Sequence, residues 1–283
     1  MRNGYRYGEA EYFDFISQTY QANRFEMEDE GDSRFLQGSH NAMVNGQRFH
    51  RMLKCLDRHA GMLPDAIPEA VDIGCYPGTW INLVRHFFPD FHWQGVGLCI
   101  SNEFLEWVGD NQVPVVETEM DPFYDKVEVG NRLPFGTASI DLVVASEIFE
   151  HLISPLEFLR ESRRVLRAGG LLLLTTPNVS NIGAIAHLLR GGSNYERLLR
   201  SPMFLAGDEW RGHVRFYSKS ELQWLGECHD LEMIHHQYYH DDYPLHVLRR
   251  SNLSSVFKRL IRRTFGIVPW FRGGHIIMFR RRP

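Results

Sequence analysis

Short apolar runs alternate with amphipathic stretches through the middle of the chain. The amphipathic stretches repeat apolar residues every three or four positions, which predicts helices over 45–62, 80–88, 101–108 and 155–167. The apolar runs are four to eight residues long and predict strands over 70–73, 92–98, 113–117, 139–146 and 171–176. Apolar strands that alternate with helices indicate an α/β fold, with a doubly wound, parallel sheet covered on both faces.

This alternation stops after Pro177. Residues 178–217 form a glycine-containing insert that we expect to cover a substrate pocket as a lid. Its aromatic residues either contact the substrate or pack the lid itself, and Tyr217 is one of them. A helix over 218–227 and strands over 231–239 and 275–280 complete the pattern. Residues 1–44 are rich in aromatics without clear periodicity, so we predict an N-terminal extension followed by one domain over 45–283.

Composition limits the class of protein. The 283 residues carry a formal net charge of −4 and are 43% hydrophobic, which is typical of a globular domain. No run of 18 apolar residues predicts a transmembrane helix, and the first residues lack the apolar core of a signal peptide. Four scattered cysteines without a C-x-x-C pair favour reduced thiols. We therefore expect a cytoplasmic protein.

The most informative motif joins the first strand to the next helix. Val71-Asp72-Ile73-Gly74-Cys75-Tyr76-Pro77-Gly78 is an apolar run with one acid that ends in a glycine-containing turn. A dinucleotide-binding turn has a third, central glycine near the pyrophosphate, and here Tyr76 stands at that place. The pattern favours a cofactor that has no phosphate groups and disfavours a nicotinamide dehydrogenase.

Several motifs in order resemble the class I S-adenosylmethionine-dependent methyltransferases. The turn described above resembles motif I of that family, and Ile140–Leu152 resembles its motif IV. Arg163–Asn178 and Arg211–Leu222 resemble later segments, so the likeness covers about residues 66–240. It implies a Rossmann-like sheet whose last strand is antiparallel, and S-adenosylmethionine as the cofactor.

The resemblance also implies roles for individual residues. The methionine and ribose side of the cofactor would contact Asp72, Gly74, Cys75 and Gly78. Ser146 would face the sulfonium, and Asp121 would bind the adenine amino group, although Asp121 before Pro122 is also typical of a turn. Cys99 stands where the family usually has an acid that binds the ribose hydroxyls. The alternative is therefore a degenerate, non-catalytic methyltransferase fold that docks on a membrane or partner.

His151 follows the fourth strand, where methyl donor and acceptor should meet, and is the candidate general base. The alternative is that His151 has only a structural role in helix packing. Glu147, Glu150, His151 and His213 together resemble the metal site of some O-methyltransferases, which makes a divalent metal a second hypothesis. The resemblance favours O-methylation of a small-molecule or glycan hydroxyl. A nucleic-acid acceptor is disfavoured, because no aromatic and basic RNA-binding module is present.

The end of the chain is basic. Within 245–272, apolar residues from Leu253 to Phe265 follow helical spacing and Lys or Arg residues occupy the other side. Residues 249–265 are therefore a candidate for peripheral contact with an anionic membrane. The alternative is that the apolar stripe packs on the sheet and the charges are only solvated.

Overall fold

The structure is a computed structural model that describes most of the chain. The described residues are 11–12, 14–15, 38–75, 78–97, 106, 109–110, 112–118, 132–193, 213–239 and 267–283, without the side chains of 38–45. Several sequence predictions therefore fall outside them in whole or in part: Asp121, Cys99, the helix over 101–108 except Glu106, residues 194–212 of the lid, most of the N-terminal extension and the basic segment 249–265.

Seven strands and five α-helices form the described fold. The strands are β1 (Glu69–Ile73), β2 (His92–Gly97), β3 (Val115–Glu117), β4 (Ile140–Ser146), β5 (Leu166–Pro177), β6 (Leu231–Tyr239) and β7 (Gly274–Arg281). The helices are α1 (Gly38–Ala60), α2 (Thr79–Phe87), α3 (Pro155–Val165), α4 (Ile182–Leu188) and α5 (Lys219–Glu227). Two short 3₁₀ turns lie at Phe149–His151 and Pro269–Phe271.

All seven strands belong to one sheet, in the order β3-β2-β1-β4-β5-β7-β6. The first five strands pair in parallel, and β7 runs antiparallel to both β5 and β6. This confirms the doubly wound, mostly parallel sheet with an antiparallel last strand. The strand order reverses between β1 and β4, and in such sheets the crevice at the carboxyl ends of these two strands is the usual ligand site.

Both faces of the sheet are buried. Helices α1 and α2 cover one face, where Met52 and Trp80 pack in a cluster with Leu142 and Leu171. Helices α3 and α5 cover the other face, where Phe158 and Leu222 pack with alternate residues of the same strands. Because successive side chains of a strand point to opposite faces, strands buried on both faces are apolar along their whole length.

The boundary between α3 and β5 differs from the prediction. The periodicity predicted a helix to Arg167, but α3 ends at Val165 and β5 starts at Leu166, paired with Ile140. The register shifts before Leu171, and Gly169 in this irregular stretch has a φ of 80°. Glycine tolerates that conformation, so the glycine pair lies within this irregular part of strand β5 and does not terminate a helix.

The helix starts also differ from the sequence pattern. The sequence predicts a capping box at Ser154, but that side chain makes no capping hydrogen bond, so this prediction was wrong. A capping box is present at Ser218 and Glu221, at the start of α5. Helix α1 begins at Gly38, seven residues before the predicted start. Within the part of the chain that the structure describes, no helix has the length and apolar character needed to cross a membrane.

Candidate functional site

The turn after β1 is held by main-chain hydrogen bonds. The amides of Gly74 and Cys75 both donate to the Val96 carbonyl at the end of β2, at 2.7 and 3.2 Å. The Gly78 amide donates to the Cys75 carbonyl at 2.6 Å, and Gly78, with a φ of 87°, is the N-cap of α2. The four predicted residues of the motif therefore lie together at the carboxyl edge, next to the reversal of strand order.

Both its backbone conformation and its neighbours require a glycine at position 74. Its φ is 77°, and a Cβ at this position would lie only 2.2 Å from Cδ1 of Ile148. The space beside this glycine is therefore filled by the protein's own side chain, which follows β4. Gly74 brings the tips of β1 and β4 into close contact, in addition to the cofactor contact that the sequence predicts.

Asp72 carries a buried carboxyl group near this turn. Burial raises the pKa of Asp72 well above its usual range, and the carboxylate raises the pKa of the neighbouring Cys75 thiol, which is itself raised chiefly by burial. Among the described residues, neither a cation nor a hydrogen-bond donor lowers the pKa of Asp72. A buried carboxylate without such a partner is costly, so a ligand that supplies a donor or a positive charge would fit here. The ammonium group of S-adenosylmethionine is such a ligand group.

Ser146 and Glu147 lie at the tip of β4. The Ser146 hydroxyl is 3.1 Å from Thr175 Oγ1 and 3.7 Å from the sulfur of Met52, which places helix α1 over this tip. Glu147 follows with a φ of 56°, a strained conformation for a residue with a side chain. Two residues later the chain enters the 3₁₀ turn Phe149–His151, which carries His151.

The Glu147 carboxylate is bound by the protein itself. Its Oε1 accepts hydrogen bonds from Thr175 Oγ1 at 2.9 Å and from the Tyr239 hydroxyl at 3.0 Å, and its Oε2 lies 3.6 Å from Arg48. These partners come from α1, β5 and β6. No local motif links positions so far apart in the chain, so these partners have no signal in the sequence.

Glu150, His151 and His213 form a compact group beside the β4 tip. Their ligand-type atoms lie within 4.8 Å of one another, and Glu150 Oε1 is 4.0 Å from Nε2 of His151 and 3.9 Å from Nε2 of His213. The main chain fixes the arrangement, since the amide of Val214 donates to the Glu150 carbonyl at 2.8 Å. Three of the four residues predicted as metal ligands therefore meet, whereas the Glu147 carboxylate binds Thr175, Tyr239 and Arg48.

Glu150 has one satisfied and one unsatisfied oxygen. Its Oε2 accepts from Thr176 at 3.0 Å, and its buried Oε1 has no hydrogen bond among the described residues. Burial, followed by the charge of Glu147, raises the pKa of Glu150. A divalent cation held by one carboxylate and two imidazoles would satisfy the unpaired oxygen, so the donor set fits zinc or another borderline metal. His151 and His213 are partly exposed, so a small molecule can reach them.

Tyr217, one of the aromatic residues predicted to contact the substrate or pack the lid, has the packing role. It is fully buried, with its ring centroid 4.8 Å from that of Phe149. Its carbonyl is 3.0 Å from Nε2 of the buried His275, whose Nδ1 is 2.9 Å from Nε2 of His236. Because a carbonyl only accepts, His275 donates to Tyr217 and accepts from His236, and the two rings are neutral neighbours.

The fold and this edge define the class of protein, a doubly wound α/β domain with a ligand site at its strand reversal. A family model described as a methyltransferase domain matches residues 44–236. The chain therefore belongs to this family, and the class I S-adenosylmethionine-dependent methyltransferase resemblance is confirmed. A solved S-adenosylmethionine-dependent methyltransferase from Archaeoglobus fulgidus has the same fold, with a TM-score of 0.53 at 16% identity, covering 88% of this chain and 100% of the other.

Two sequence relatives match shorter regions. An uncharacterised 37.1 kDa protein from a Streptomyces fradiae transposon is 31% identical over 130 residues, which are 45% of this chain and 33% of that protein. A probable S-adenosylmethionine-dependent methyltransferase of Mycobacterium tuberculosis is 46% identical over 59 residues, or 19% of this chain and 22% of that protein. These alignments span a third or less of the curated relatives.

Proposed function

We propose that this protein transfers a methyl group from S-adenosylmethionine to a hydroxyl group of a small-molecule or glycan acceptor. The observation that carries the proposal is the group of Glu150, His151 and His213 beside the β4 tip. The bound cofactor supplies an activated methyl group, so the protein must orient the acceptor and accept its proton. An amine acceptor that is already neutral has less need of such a group.

In this proposal, His151 accepts the proton of the acceptor hydroxyl. The nearby Glu150 would stabilise the resulting imidazolium, because its Oε1 lies 4.0 Å from Nε2 of His151. Asp72, Gly74, Cys75 and Gly78 hold the methionine and ribose end of the cofactor, and Ser146 lies toward its sulfonium. Asp121 binds the adenine, from a segment outside the described residues.

The same three side chains support a second candidate, a divalent metal that binds the acceptor hydroxyl. The buried Oε1 of Glu150, which has no hydrogen bond among the described residues, favours it. Such a metal would lower the pKa of a hydroxyl bound to it. The two candidates differ in one simple observation, since only a metal-dependent enzyme loses activity in a chelator and regains it with added Mn²⁺ or Zn²⁺.

The first experiment is calorimetric titration with S-adenosylmethionine and S-adenosylhomocysteine. We expect saturable binding of both, after which hydroxylated acceptors are screened with His151→Ala and His213→Ala. If His151 is the base, His151→Ala should lower the methyl-transfer rate about 100-fold or more, whereas the cofactor affinity stays unchanged. His187→Ala is the matched control, because it removes a histidine from helix α4, outside the group.

Two results would contradict the proposal. Failure to bind either cofactor form, even at millimolar concentration, would favour the non-catalytic alternative. Methylation of amines alone, with full activity in His151→Ala, would exclude a base at this position. Peripheral membrane contact through 249–265 remains a prediction, which sedimentation with anionic vesicles before and after deletion of these residues would test.

A further inference from the structure

A cavity of about 370 Å³ lies between helix α1 and strand β6. One stripe of α1 lines it, at positions three or four residues apart that include Gln47, Arg51, Lys54 and Arg58. The volume falls within the range of small-molecule pockets, about 300–1,000 Å³. The opposite stripe of α1, with Met52 and Leu53, packs in the core, so the cavity side chains are anchored on a fixed helix.

The lining of the cavity is strongly basic. It includes four basic side chains, namely Arg51, Lys54, Arg58 and Arg272, and no Asp or Glu among the described residues. Cys55 also lines it, and burial raises the pKa of this thiol to about 12, so it adds no negative charge. The lining therefore concentrates positive charge in a concave space, which is the arrangement that binds a multiply charged anion.

His235 on β6 lies in the same positively charged surroundings. Its Nε2 is buried and has no hydrogen-bond partner among the described residues. Burial lowers the pKa of His235, and the nearby His59 and Arg58 lower it further. An anion in the cavity would supply the opposite charge and an acceptor for this nitrogen.

The cavity has a defined position relative to the methyl-transfer site. In the sheet, Ser146 of β4 lies opposite Thr175 of β5, which lies opposite Ile276 of β7. Ile276 in turn lies opposite Gln237 of β6, which lines the cavity. This row crosses three strand spacings of about 4.8 Å, so Gln237 lies about 14 Å from Ser146 along the sheet. One ligand of moderate length can therefore span both places.

We propose that this cavity binds a phosphate or diphosphate group of the acceptor substrate and so selects phosphorylated acceptors. A single carboxylate carries one charge, whereas a phosphate monoester carries about two and matches four cations better. Only the identification of the ligand as the acceptor rests on the proposed function. The anion site itself rests on the cavity alone.

The test is calorimetric titration of the whole protein with inorganic pyrophosphate. We expect one-to-one binding that weakens with added NaCl and weakens about tenfold or more in Arg51→Gln/Lys54→Gln. The matched control is Arg160→Gln/Arg163→Gln, which removes two cations from helix α3, on the other face of the sheet. S-adenosylmethionine binding, measured separately on each variant, should be unchanged.

The outcomes separate the two proposals. No pyrophosphate binding, or equal weakening in the α3 control, would overturn the anion site, whatever the cofactor result. Pyrophosphate binding without cofactor binding would keep the site and reject the proposed enzyme. A second arm uses phosphatidylcholine vesicles with and without phosphatidic acid. Binding that needs phosphatidic acid and is lost in Arg51→Gln/Lys54→Gln would identify a lipid as the source of the phosphate.

If the double variant is unfolded by circular dichroism, Arg272→Gln replaces it. Arg272 lies before β7, outside the helices, and its Nη1 is 3.5 Å from the Tyr238 carbonyl. The same weakening of pyrophosphate binding is expected from it, and an unchanged affinity in this folded variant would reject the cavity as the anion site.

Discussion

The two flanks of the carboxyl edge are built in different ways. After β1, the turn is fixed by the main chain, where Gly74 and Cys75 donate to Val96, and by glycines with positive φ. After β4, the arrangement depends on side chains from separate elements, where Thr175 and Tyr239 bind the Glu147 carboxylate. The first flank is suited to a constant ligand such as the cofactor. The second brings together the groups that would contact a particular acceptor.

This contrast gives the two flanks different sensitivities to mutation. A change in the turn should act through backbone strain and packing. The side after β4, where Thr175, Tyr239 and Arg48 bind the Glu147 carboxylate, is called the polar flank below. A change there should remove one of several side-chain interactions and have a smaller effect.

The largest effect is expected for Gly74→Ala. A φ of 77° disfavours a residue with a Cβ by about 1–2 kcal/mol, and the contact at 2.2 Å from Ile148 adds about 1–3 kcal/mol of overpacking. We therefore expect the free energy of unfolding to fall by about 2–5 kcal/mol, measured by urea denaturation.

Gly169→Ala is the matched control for the strain at Gly74. Gly169 has a φ of 80°, but a Cβ at this position would meet no described atom within 4 Å apart from its chain neighbours, so only the backbone contribution should remain. Ile148→Ala in the Gly74→Ala background should recover part of the loss by making room. Equal losses in the two glycine variants would show that Ile148 does not crowd this position.

Asp72→Asn tests the cofactor role of the turn. Its carboxyl pKa is raised in the fold, so its contribution to stability is complete below the unfolded pKa and is lost as pH rises. Without bound cofactor, the Asp72→Asn protein should therefore be at least as stable as the wild-type protein at neutral pH. Its affinity for S-adenosylmethionine should fall about 10- to 100-fold, because a charged hydrogen bond contributes about 1.5–3 kcal/mol.

Asp141→Asn is the control for Asp72→Asn. Asp141 is also buried, but near the start of β4, where it accepts from the Glu69 amide at 2.9 Å and binds Arg167 at 2.5 Å. We expect this variant to lose stability without losing cofactor affinity. If both variants bound the cofactor equally well, Asp72 would have no role in binding it.

The same contrast explains what the sequence could predict. The turn is local: Asp72, Gly74 and Gly78 lie within seven positions, so their spacing alone indicated a ligand site. The chain order also indicated the parallel strands, since each is an apolar run between two helices. The group of Glu150 and His151 with the distant His213 was found only through the family resemblance.

Other features had no local signal. Arg48 and Tyr239 reach Glu147 only after the sheet and α1 are assembled, and the basic cavity combines a helix with a strand nearly 180 residues away. The end of α3 was misplaced because the pairing of Leu166 with Ile140 outweighs the helical pattern of that segment. Long-range contacts determine the partners of Glu147, the lining of the cavity and the end of α3.

The His236–His275 pair predicts acid sensitivity of the polar flank. Burial is the main reason that the pKa of His275 falls to about 4 and that of His236 to about 3, from 6.5. Because both pKa values are lowered by folding, the stabilisation is complete above pH 6.5 and is lost as the pH falls from 6.5 through about 4 for His275 and about 3 for His236. Each proton taken up on unfolding changes the stability by about 1.4 kcal/mol per pH unit.

We therefore expect the urea midpoint to fall steeply between these pH values, and less steeply in His275→Gln. A glutamine can still donate to the Tyr217 carbonyl but does not titrate. His92→Gln is the control, because His92 is exposed and sits at the amino end of β2. An unchanged slope in His275→Gln would mean that other groups cause the acid unfolding.

The smallest expected effect is that of Tyr239→Phe. The variant removes one hydrogen bond to Glu147, at 3.0 Å, while Thr175 and Arg48 continue to hold that carboxylate. Because the partner is charged but keeps its other contacts, we expect a loss of about 1 kcal/mol in the free energy of unfolding. The neighbouring Tyr238→Phe removes a hydroxyl that makes no hydrogen bond among the described residues, so it should change stability by less than about 0.5 kcal/mol. A loss at Tyr239 as large as that of Gly74→Ala would mean that the polar flank is as intolerant as the turn, and that the network acts as one cooperative unit.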